Sequence, residues 1–332
     1  MADNIIEYMK RESPVFDKEM EKVIPRNKKP WEVYGILWEH LDLGGKRLRP
    51  IMCKLSCEAV GGDGKKATPA GAAIEMFHNF TLIHDDIMDS SEFRRGQPCV
   101  YKKYGIPLAI NAGDGLFMMV TQEILSISAP PEKLVDVQRI LSTAFTRVLE
   151  GQAIELNWYR LGKMGVSEAE YLEMISGKTG ALIAASCEVG AMIGNANAEQ
   201  RKALSDFGMA VGLAFQIQDD VLNLIGSEQK YGKEIGGDIS EGKRSLITIH
   251  ALEHAPPNER TELAGILASK TKEQASVKRA IEICGKSGSI DYAAAKARGL
   301  VEEGKKRLLI LPNNEASRRL LQLADFFIYR EV

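Results

Sequence analysis

Apolar residues recur along most of the chain with a period close to 3.6, which is the spacing expected of an α-helix. Within residues 70–83, apolar side chains occupy positions 70, 72, 73, 74, 76, 77, 80, 82 and 83. Residues 208–224 show a similarly broad apolar face. Alternating segments typical of strands are not evident, so the pattern predicts helix after helix, with these two buried on most sides.

Short breaks rich in proline, glycine or asparagine separate the apolar runs, as in tight connections between helices. Two pairs fit the capping box that opens a helix, Ser167 with Glu170 and Thr271 with Gln274. The one long irregular stretch, 226–243, is rich in glycine and lysine, and long loops of this kind are usually functional. Because no linker or repeat divides the chain, we predict a single all-α domain over residues 1–332.

Composition narrows the class of protein. The chain has 332 residues, of which 45% are hydrophobic and 27% charged, with a net charge of −2, so it can form a large core and is too apolar for a disordered protein. Near-neutral charge argues against a nucleic-acid partner. No uncharged apolar run reaches the roughly 18 residues that cross a bilayer, and five scattered cysteines favour reduced thiols. We therefore expect a cytoplasmic protein without stable membrane insertion.

Two predicted helices end in adjacent aspartates, in the sequence HDDIMD at 84–89 and QDDVLN at 218–223. Asp85 and Asp89 are four residues apart, so their carboxylates share one helical face at a separation of about 6 Å and repel each other. Unpaired carboxylates beside an apolar run are also costly. A few carboxylates completed by water and phosphate oxygens suit Mg²⁺, so the pattern favours a magnesium site, with a solvated acidic helix end as the alternative.

Basic residues beside glycines form a second pattern. They occur in GGKRLRP at 44–50, in RRG at 94–96, in KTG at 178–180, and as Lys233 and Lys243 within the glycine-rich stretch. Lys and Arg next to glycine-exposed backbone can hold phosphate oxygens, although a single cluster of this kind is usually just solvated surface. Together with the acidic clusters and their apolar surroundings, they predict a site for a lipid-like diphosphate.

These motifs resemble those of the trans-isoprenyl diphosphate synthases, and most closely those of archaeal-type short-chain geranylgeranyl diphosphate synthases. The resemblance extends from about Trp38 to Arg330 and rests on six markers in the family's order: GGKRLRP at 44–50, HDDIMDSSEFRRG at 84–96, GQAIEL at 151–156, KTG at 178–180, FQIQDD at 215–220 and GGDISEGK at 236–243. It implies a bundle of mostly antiparallel helices around a deep central cavity, usually dimeric, with the two Asp-rich motifs facing each other across the cavity mouth.

The resemblance also implies roles for individual residues. The implied ligands of three Mg²⁺ ions are Asp85, Asp89 and Asp219, supported by Asp86 and Asp220. The implied contacts of the isopentenyl diphosphate group are Lys46, Arg49, His78 and Arg95. The implied contacts of the allylic diphosphate are Arg94, Lys178, Thr179, Gln216, Lys233 and Lys243.

The implied reaction is ionisation of an allylic diphosphate, condensation with isopentenyl diphosphate, and elimination of a proton. Positive charge around the leaving diphosphate weakens its bond to carbon. Oxygens near Lys178, Thr179 and Gln216 would steady the allylic cation, and the departing diphosphate would take the proton. His84 stands beside the first aspartate, and we interpret it as a packing or supporting residue.

Two positions depart from the family's pattern. Asn223 replaces the usual third aspartate of the second motif, and Glu155 stands where many members carry aspartate. An amide oxygen accepts hydrogen bonds but brings no full charge to a metal. We expect activity to survive because Asp219 and Asp220 remain, with weaker affinity for the metal.

Product length is expected to depend on Phe77, Phe80 and Thr81. Phe80 and Phe77 precede the first motif by five and eight residues, which places them about 7.5 and about 12 Å deeper along the helix. An aromatic residue at Phe80 with a small one at Thr81 resembles the archaeal-type geranylgeranyl synthases and predicts a C20 product. A stop at Phe77 would give C15 and a rotated ring C25; if both rings are core residues, the floor lies elsewhere, near Phe117 and Met118.

Three other functions compete with a synthase. A class I terpene cyclase shares the metal-diphosphate site but needs no isopentenyl site, against which GGKRLRP and Arg95 argue. A non-catalytic synthase subunit would have lost motif residues, and only Asn223 fits that description. A helical scaffold without a ligand predicts that Mg²⁺ and diphosphate leave the melting temperature unchanged.

Overall fold

The computed structural model describes residues 4–226 and 235–329. These residues are helical except for connecting segments and a small antiparallel hairpin, in which β1 (Phe93–Arg94) pairs with β2 (Gln97–Pro98). The expectation of an all-α protein is therefore confirmed. The deep central cavity expected from the resemblance stays a prediction.

The described helices are numbered in chain order. Those before residue 165 are α1 (Ile5–Val23), α2 (Trp31–Leu41), α3 (Leu48–Ala59), α4 (Thr68–Met88), α5 (Val100–Tyr104), α6 (Ile106–Leu125) and α7 (Pro131–Arg160). Those after it are α8 (Glu168–Ile175), α9 (Ala181–Ile193), α10 (Ala198–Ile225), α11 (Gly237–Ser240), α12 (Leu246–His254), α13 (Pro257–Ser269), α14 (Gln274–Lys286), α15 (Ser289–Arg307) and α16 (Glu315–Tyr329). Shorter turns are 3₁₀-helical at Gly64–Ala67 and Leu308–Ile310 and π-helical at Ser176–Gly180. None of these helices combines the length and apolar composition that crossing a bilayer requires.

The chain divides into two compact units. The first unit comprises the described parts of Met1–Phe145, Ala185–Ser205 and Leu308–Gln322. The second unit comprises the described parts of Thr146–Ala184, Asp206–Arg307 and Leu323–Val332. The expectation of one domain over residues 1–332 stays a prediction.

Helix α4 lies at the centre of the first unit, where it packs against α1, α3 and α6. Its residues from Ala70 to Phe77 are all buried, as the broad apolar face predicted. The helix closes with a hydrogen bond from the Asp89 N–H to the Asp85 carbonyl oxygen at 2.8 Å. The first acidic cluster therefore lies at the end of a helix whose preceding turns are buried in this unit.

Glycines bring the backbone elements of the second unit into close contact. A Cβ atom on Gly151 of α7 would lie 2.3 Å from the backbone nitrogen of Lys178, and one on Gly177 would lie 2.6 Å from the Arg147 carbonyl oxygen. Contacts this short exclude any larger residue. As a result, α7 crosses directly over the π-helical turn, so that Glu155 and Lys178 meet.

Candidate active site

The three aspartates at the end of α4 differ in burial and in their hydrogen bonds. Asp86 is 1% exposed and accepts hydrogen bonds from Arg94, at 2.9 and 3.0 Å from Nε and 2.5 Å from Nη2. Asp85 and Asp89 are only half-buried. Burial opposes the charge on Arg94, but the hydrogen bonds to Asp86 leave its pKa raised. Asp86 is thus held inside the unit, while the other two carboxylates stay accessible.

A tight turn brings Arg94 back to α4. Arg95 and Gly96, between β1 and β2, have φ angles of 52° and 78°, as in the two-residue turns of β-hairpins. Gly45 allows the Arg95 guanidinium group to approach its backbone, because a Cβ atom there would lie 2.8 Å from Arg95 Nη2. The RRG sequence and the first glycines of GGKRLRP therefore belong to one region of the first unit.

The three cations of GGKRLRP have different surroundings. Arg47 is buried and hydrogen-bonded to Glu75 at 3.0 Å and Asp17 at 2.9 Å, so it stabilises the fold. Lys46 is exposed, and Arg49 is half-buried. The Nε atom of Arg49 is buried without a hydrogen-bond partner among the described residues.

Three of the residues expected to bind isopentenyl diphosphate, Arg49, Arg95 and His78, have lowered pKa values. Burial lowers the pKa of Arg49 and, together with Arg47 and Arg94, that of Arg95. Burial also holds the pKa of His78 well below its usual range, and Arg49, Arg95 and Arg94 depress it further. An anion bound beside these groups would offset positive charge that their surroundings disfavour.

The second unit contains a cavity of about 110 Å³. Its lining includes five residues that the sequence predicted, namely Lys178, Gln216, Asp219, Asp220 and Lys243. Glu155, Tyr171 and Asp238 also line it. The structure thus brings the second Asp-rich motif, the KTG turn and the GGDISEGK segment to one place; Lys233 lies outside the described residues.

A chain of hydrogen bonds fixes Asp220 in this cavity. Thr179 Oγ1 donates to Gln216 Oε1 at 2.8 Å, and Gln216 Nε2 donates to Asp220 Oδ1 at 3.0 Å. The Tyr171 hydroxyl donates to Asp220 Oδ2 at 2.7 Å. Burial and the nearby Asp238 raise the pKa of Asp220 to about 7, although these hydrogen bonds oppose the rise. Asp220 is therefore held in place beside Asp219 in the lining of the cavity.

Both described lysines of the cavity are paired with acids. Lys178 contacts Glu155, whose pKa burial would raise but Lys178 and Lys243 lower. Lys243 pairs with Asp238 at 2.9 Å and Glu241 at 2.8 Å. These acids outweigh burial and hold the pKa of Lys243 well above its usual range.

Sequence reasoning missed Tyr171 and Asp238. Asp238 stands within GGDISEGK, where only Lys243 was given a role, and its acidic side chain was an available signal. Tyr171 occupies an apolar position of α8, which the capping box of Ser167 and Glu170 opens as predicted. Nothing in the sequence distinguishes a core tyrosine from one that donates to a buried carboxylate.

Phe77 and Phe80, which are expected to limit product length, form an aromatic cluster with Phe117, which was named as part of the alternative floor. Phe77 is buried and stacks on Phe145 with ring centroids 3.7 Å apart. Phe80 is half-buried, with its centroid 5.3 Å from Phe117 and 4.7 Å from His84. The Thr81 hydroxyl donates to the His78 carbonyl oxygen, and Met118 is 57% exposed.

The donor set suits a magnesium ion. Within residues 4–226 and 235–329, no three acidic, histidine or cysteine side chains are already grouped as a metal site. Hard carboxylate oxygens in small number, completed by water and phosphate, are the usual environment of Mg²⁺. Asp85 and Asp89 in the first unit, and Asp219 in the second, offer such oxygens.

Comparisons with known proteins identify the same family as the motifs do. The polyprenyl synthetase family matches residues 31–284. A short chain isoprenyl diphosphate synthase of Methanothermobacter thermautotrophicus is 42% identical over 294 residues, covering 88% of this chain and 89% of that protein. A geranylgeranyl diphosphate synthase of Methanosarcina mazei is 37% identical over 331 residues, covering 100% and 99%. The crystal structure of a geranylgeranyl pyrophosphate synthetase from Pyrococcus horikoshii has a TM-score of 0.93 at 41% identity, covering 98% of both chains.

Proposed function

The chain belongs to the polyprenyl synthetase family, and from that premise we propose that it is a short-chain trans-prenyltransferase that makes geranylgeranyl diphosphate. It condenses isopentenyl diphosphate with allylic diphosphates. The observation that carries this proposal is the group formed by Arg49, Arg95 and His78, whose pKa values are all depressed. A terpene cyclase has no need of this second anion site.

In the first unit, Lys46, Arg49, His78 and Arg95 bind the diphosphate of isopentenyl diphosphate. This diphosphate does not leave, so its binding site serves to orient the reacting double bond. His78 is neutral at pH 7 because its pKa is lowered, and it contributes a hydrogen bond rather than charge. Arg94 holds Asp86 and, through it, the last turn of α4, and it stays an expected contact of the allylic diphosphate.

In the second unit, Lys178, Lys243 and the Thr179–Gln216 pair bind the allylic diphosphate, with Lys233 as a further expected contact. Asp219 holds magnesium in this unit, and Asp238 adds a carboxylate beside it; Asp85 and Asp89 hold magnesium in the first unit, with three ions in all by analogy with the family. Bound magnesium supplies positive charge that weakens the bond between the allylic carbon and its diphosphate. The oxygens of Thr179 and Gln216 stabilise positive charge on that carbon. The released diphosphate accepts the proton.

Phe80 sets the C20 limit, with Phe117 packed against it. Phe77 is already held by its stack on Phe145, which makes it a supporting residue of the same floor. The test is incubation of the purified protein with Mg²⁺, isopentenyl diphosphate and, separately, C5, C10 and C15 allylic diphosphates. A C20 alcohol after dephosphorylation, lost on chelation, supports the proposal; no condensation with any primer overturns it.

The variant Phe80→Ala tests the floor. Removing the ring opens space below the growing chain, so we expect products longer than C20 by one or more C5 units, measured by mass spectrometry. Val137→Ala, at a buried position of α7, is the control for a general loss of packing and should leave the product at C20. An unchanged C20 product from Phe80→Ala would place the floor at another residue.

The surface of α6 supports a homodimer. Ile106, Ile110, Phe117, Met118 and Leu125 are all between 39% and 71% exposed, which is unusual for one helix of a monomer. We propose that a second copy of the chain covers this apolar face.

The cysteines, all buried and unpaired, suit the reducing cytoplasm.

A further inference from the structure

We propose that Asn223 is a positioning residue for the segment that carries Asp238 and Lys243, an inference that rests on the proposed function. Asn223 is 4% exposed and lies in the last turn of α10. It replaces the usual third aspartate of the second motif, where the sequence alone suggested only a weaker metal ligand. Its contacts indicate a different role.

Asn223 forms two hydrogen bonds to one short segment. Its backbone carbonyl accepts from the Gly236 N–H at 2.8 Å, and its side-chain Oδ1 accepts from the Asp238 N–H at 3.1 Å. The backbone turns sharply at Gly236, where φ is 76°. A Cβ atom on Gly237 would lie 3.7 Å from Asn223 Nδ2, so the amide packs directly against this turn.

The segment that Asn223 holds carries two groups of the cavity. Asp238 lies in α11, a helix of four residues, which is too short to be stable without outside contacts. Lys243 binds back to Asp238 twice, from Nζ to Oδ1 at 2.9 Å and from its N–H to the carbonyl oxygen at 2.8 Å. Fixing the Asp238 N–H therefore fixes both the carboxylate of Asp238 and the ammonium group of Lys243.

The position requires a hydrogen-bond acceptor rather than a charge. Asn223 is three residues after Asp220 on α10, hence on the same helical face, and it contacts the backbone of Asp238. A carboxylate accepts the same N–H as the neutral amide does, so the contact itself does not depend on charge. An apolar side chain of the same size would leave a buried N–H unpaired, which is costly.

Three variants separate these contributions. Asn223→Leu keeps the branched shape and the number of side-chain heavy atoms and removes the acceptor, while Asn223→Asp keeps the acceptor and adds charge. Val221→Ala is the matched control, because Val221 is 1% exposed and, two residues earlier, faces nearly the opposite side of the helix. Asn223→Ala replaces Asn223→Leu if the latter does not fold.

Two measurements test the positioning role without turnover. One is hydrogen exchange of the amides in residues 236–243. The other is the Mg²⁺ concentration that gives half of the thermal stabilisation by inorganic diphosphate. We expect Asn223→Leu to accelerate exchange and to raise this concentration about tenfold. Asn223→Asp should remain within about threefold of the native chain, and Val221→Ala should lower the melting temperature without moving the Mg²⁺ midpoint.

The outcomes distinguish this inference from the function on which it rests. If diphosphate and Mg²⁺ stabilise the native chain but Asn223→Leu leaves both readouts at the native values, the positioning role is wrong and the proposed function stands. If Asn223→Asp fails as badly as Asn223→Leu, the acceptor is not what matters and the inference is also wrong. If the native chain shows no stabilisation at all, the proposed function fails, and the inference fails with it.

Discussion

Arg49 and Arg95 of the first unit hold their charge less readily than usual, whereas the lysines that line the second unit's cavity are paired with acids. In the first unit, Arg49 and Arg95 have lowered pKa values although Glu75 attracts both. In the second unit, Lys178 contacts Glu155, and the pKa of Lys243 is raised well above its usual range by its acids. Both regions are rich in positive charge, but Arg49 and Arg95 gain less from nearby acids than Lys178 and Lys243 do.

The two regions would therefore bind a diphosphate in different ways. An anion that enters the first unit relieves repulsion that the fold already contains, so binding there gains free energy without further ions. An anion that enters the second unit meets Glu155, Asp219 and Asp238 beside the lysines. Added positive charge must offset those acids, and magnesium is the ion that their oxygens suit.

Metal removal gives the largest expected separation of the two regions. With a chelator present, affinity for a non-reactive allylic diphosphate should fall by about 100-fold or more, because phosphate and carboxylate charges then repel each other. Affinity for isopentenyl diphosphate should change by less than about threefold, since its cations are already in place. Calorimetric titration of each ligand measures both, and equal losses would abolish the distinction.

Lys178→Met should destabilise the second unit strongly. It leaves Glu155 buried without its main counterion, which costs about 3 kcal/mol or more in the free energy of unfolding. Denaturant titration measures the loss. The double variant Lys178→Met with Glu155→Leu is the control, because removing both charges should recover most of the stability. A single variant as stable as the native chain would show that this pair is not structurally important.

Arg95→Met should have the opposite effect on stability. Removing one of several mutually repelling cations should leave the free energy of unfolding of the ligand-free chain unchanged or higher. The KM for isopentenyl diphosphate should rise by about 100-fold, as expected for a lost charged hydrogen bond to phosphate. The allylic KM should stay near the native value. A fall in stability as large as that of Lys178→Met would contradict the contrast between the units.

The pH dependence of stability should show a smaller effect of the same positive charge. Burial and the neighbouring arginines lower the pKa of His40 to about 3, so the folded chain keeps it neutral while the unfolded chain protonates it below about 6.5. Stability therefore falls as the pH drops from about 6.5, by about 1.4 kcal/mol per pH unit for this proton. His40→Gln should reduce that slope, measured by denaturant titration between pH 4.5 and 7. An identical slope in the variant would mean that His40 is protonated in the fold.

The sequence predicted the helices well because burying one face of a helix places apolar residues at a spacing of about 3.6, and many positions along the helix show that spacing. The face of α4 and the capping box at Ser167 were both predicted and are confirmed. The second capping box was wrong: α14 begins at Gln274 after Glu273, and the Thr271 hydroxyl accepts from the Glu273 N–H instead. A four-residue pattern is compatible with several local structures, whereas a long apolar face with a period of about 3.6 is compatible only with a helix.

By itself, the sequence determined the all-α class, the two acidic clusters and most of the charged residues that line the second unit's cavity. Those features follow from local rules of periodicity, spacing and charge, and the ordered motifs identified the family. Only the tertiary structure decided which charges are paired. Arg47 and Arg49 are two residues apart, yet one is held by Glu75 and Asp17 and the other has a buried, unpartnered Nε atom. Pairing depends on which distant residues folding brings within hydrogen-bond distance, and the chain order of charges does not contain that information.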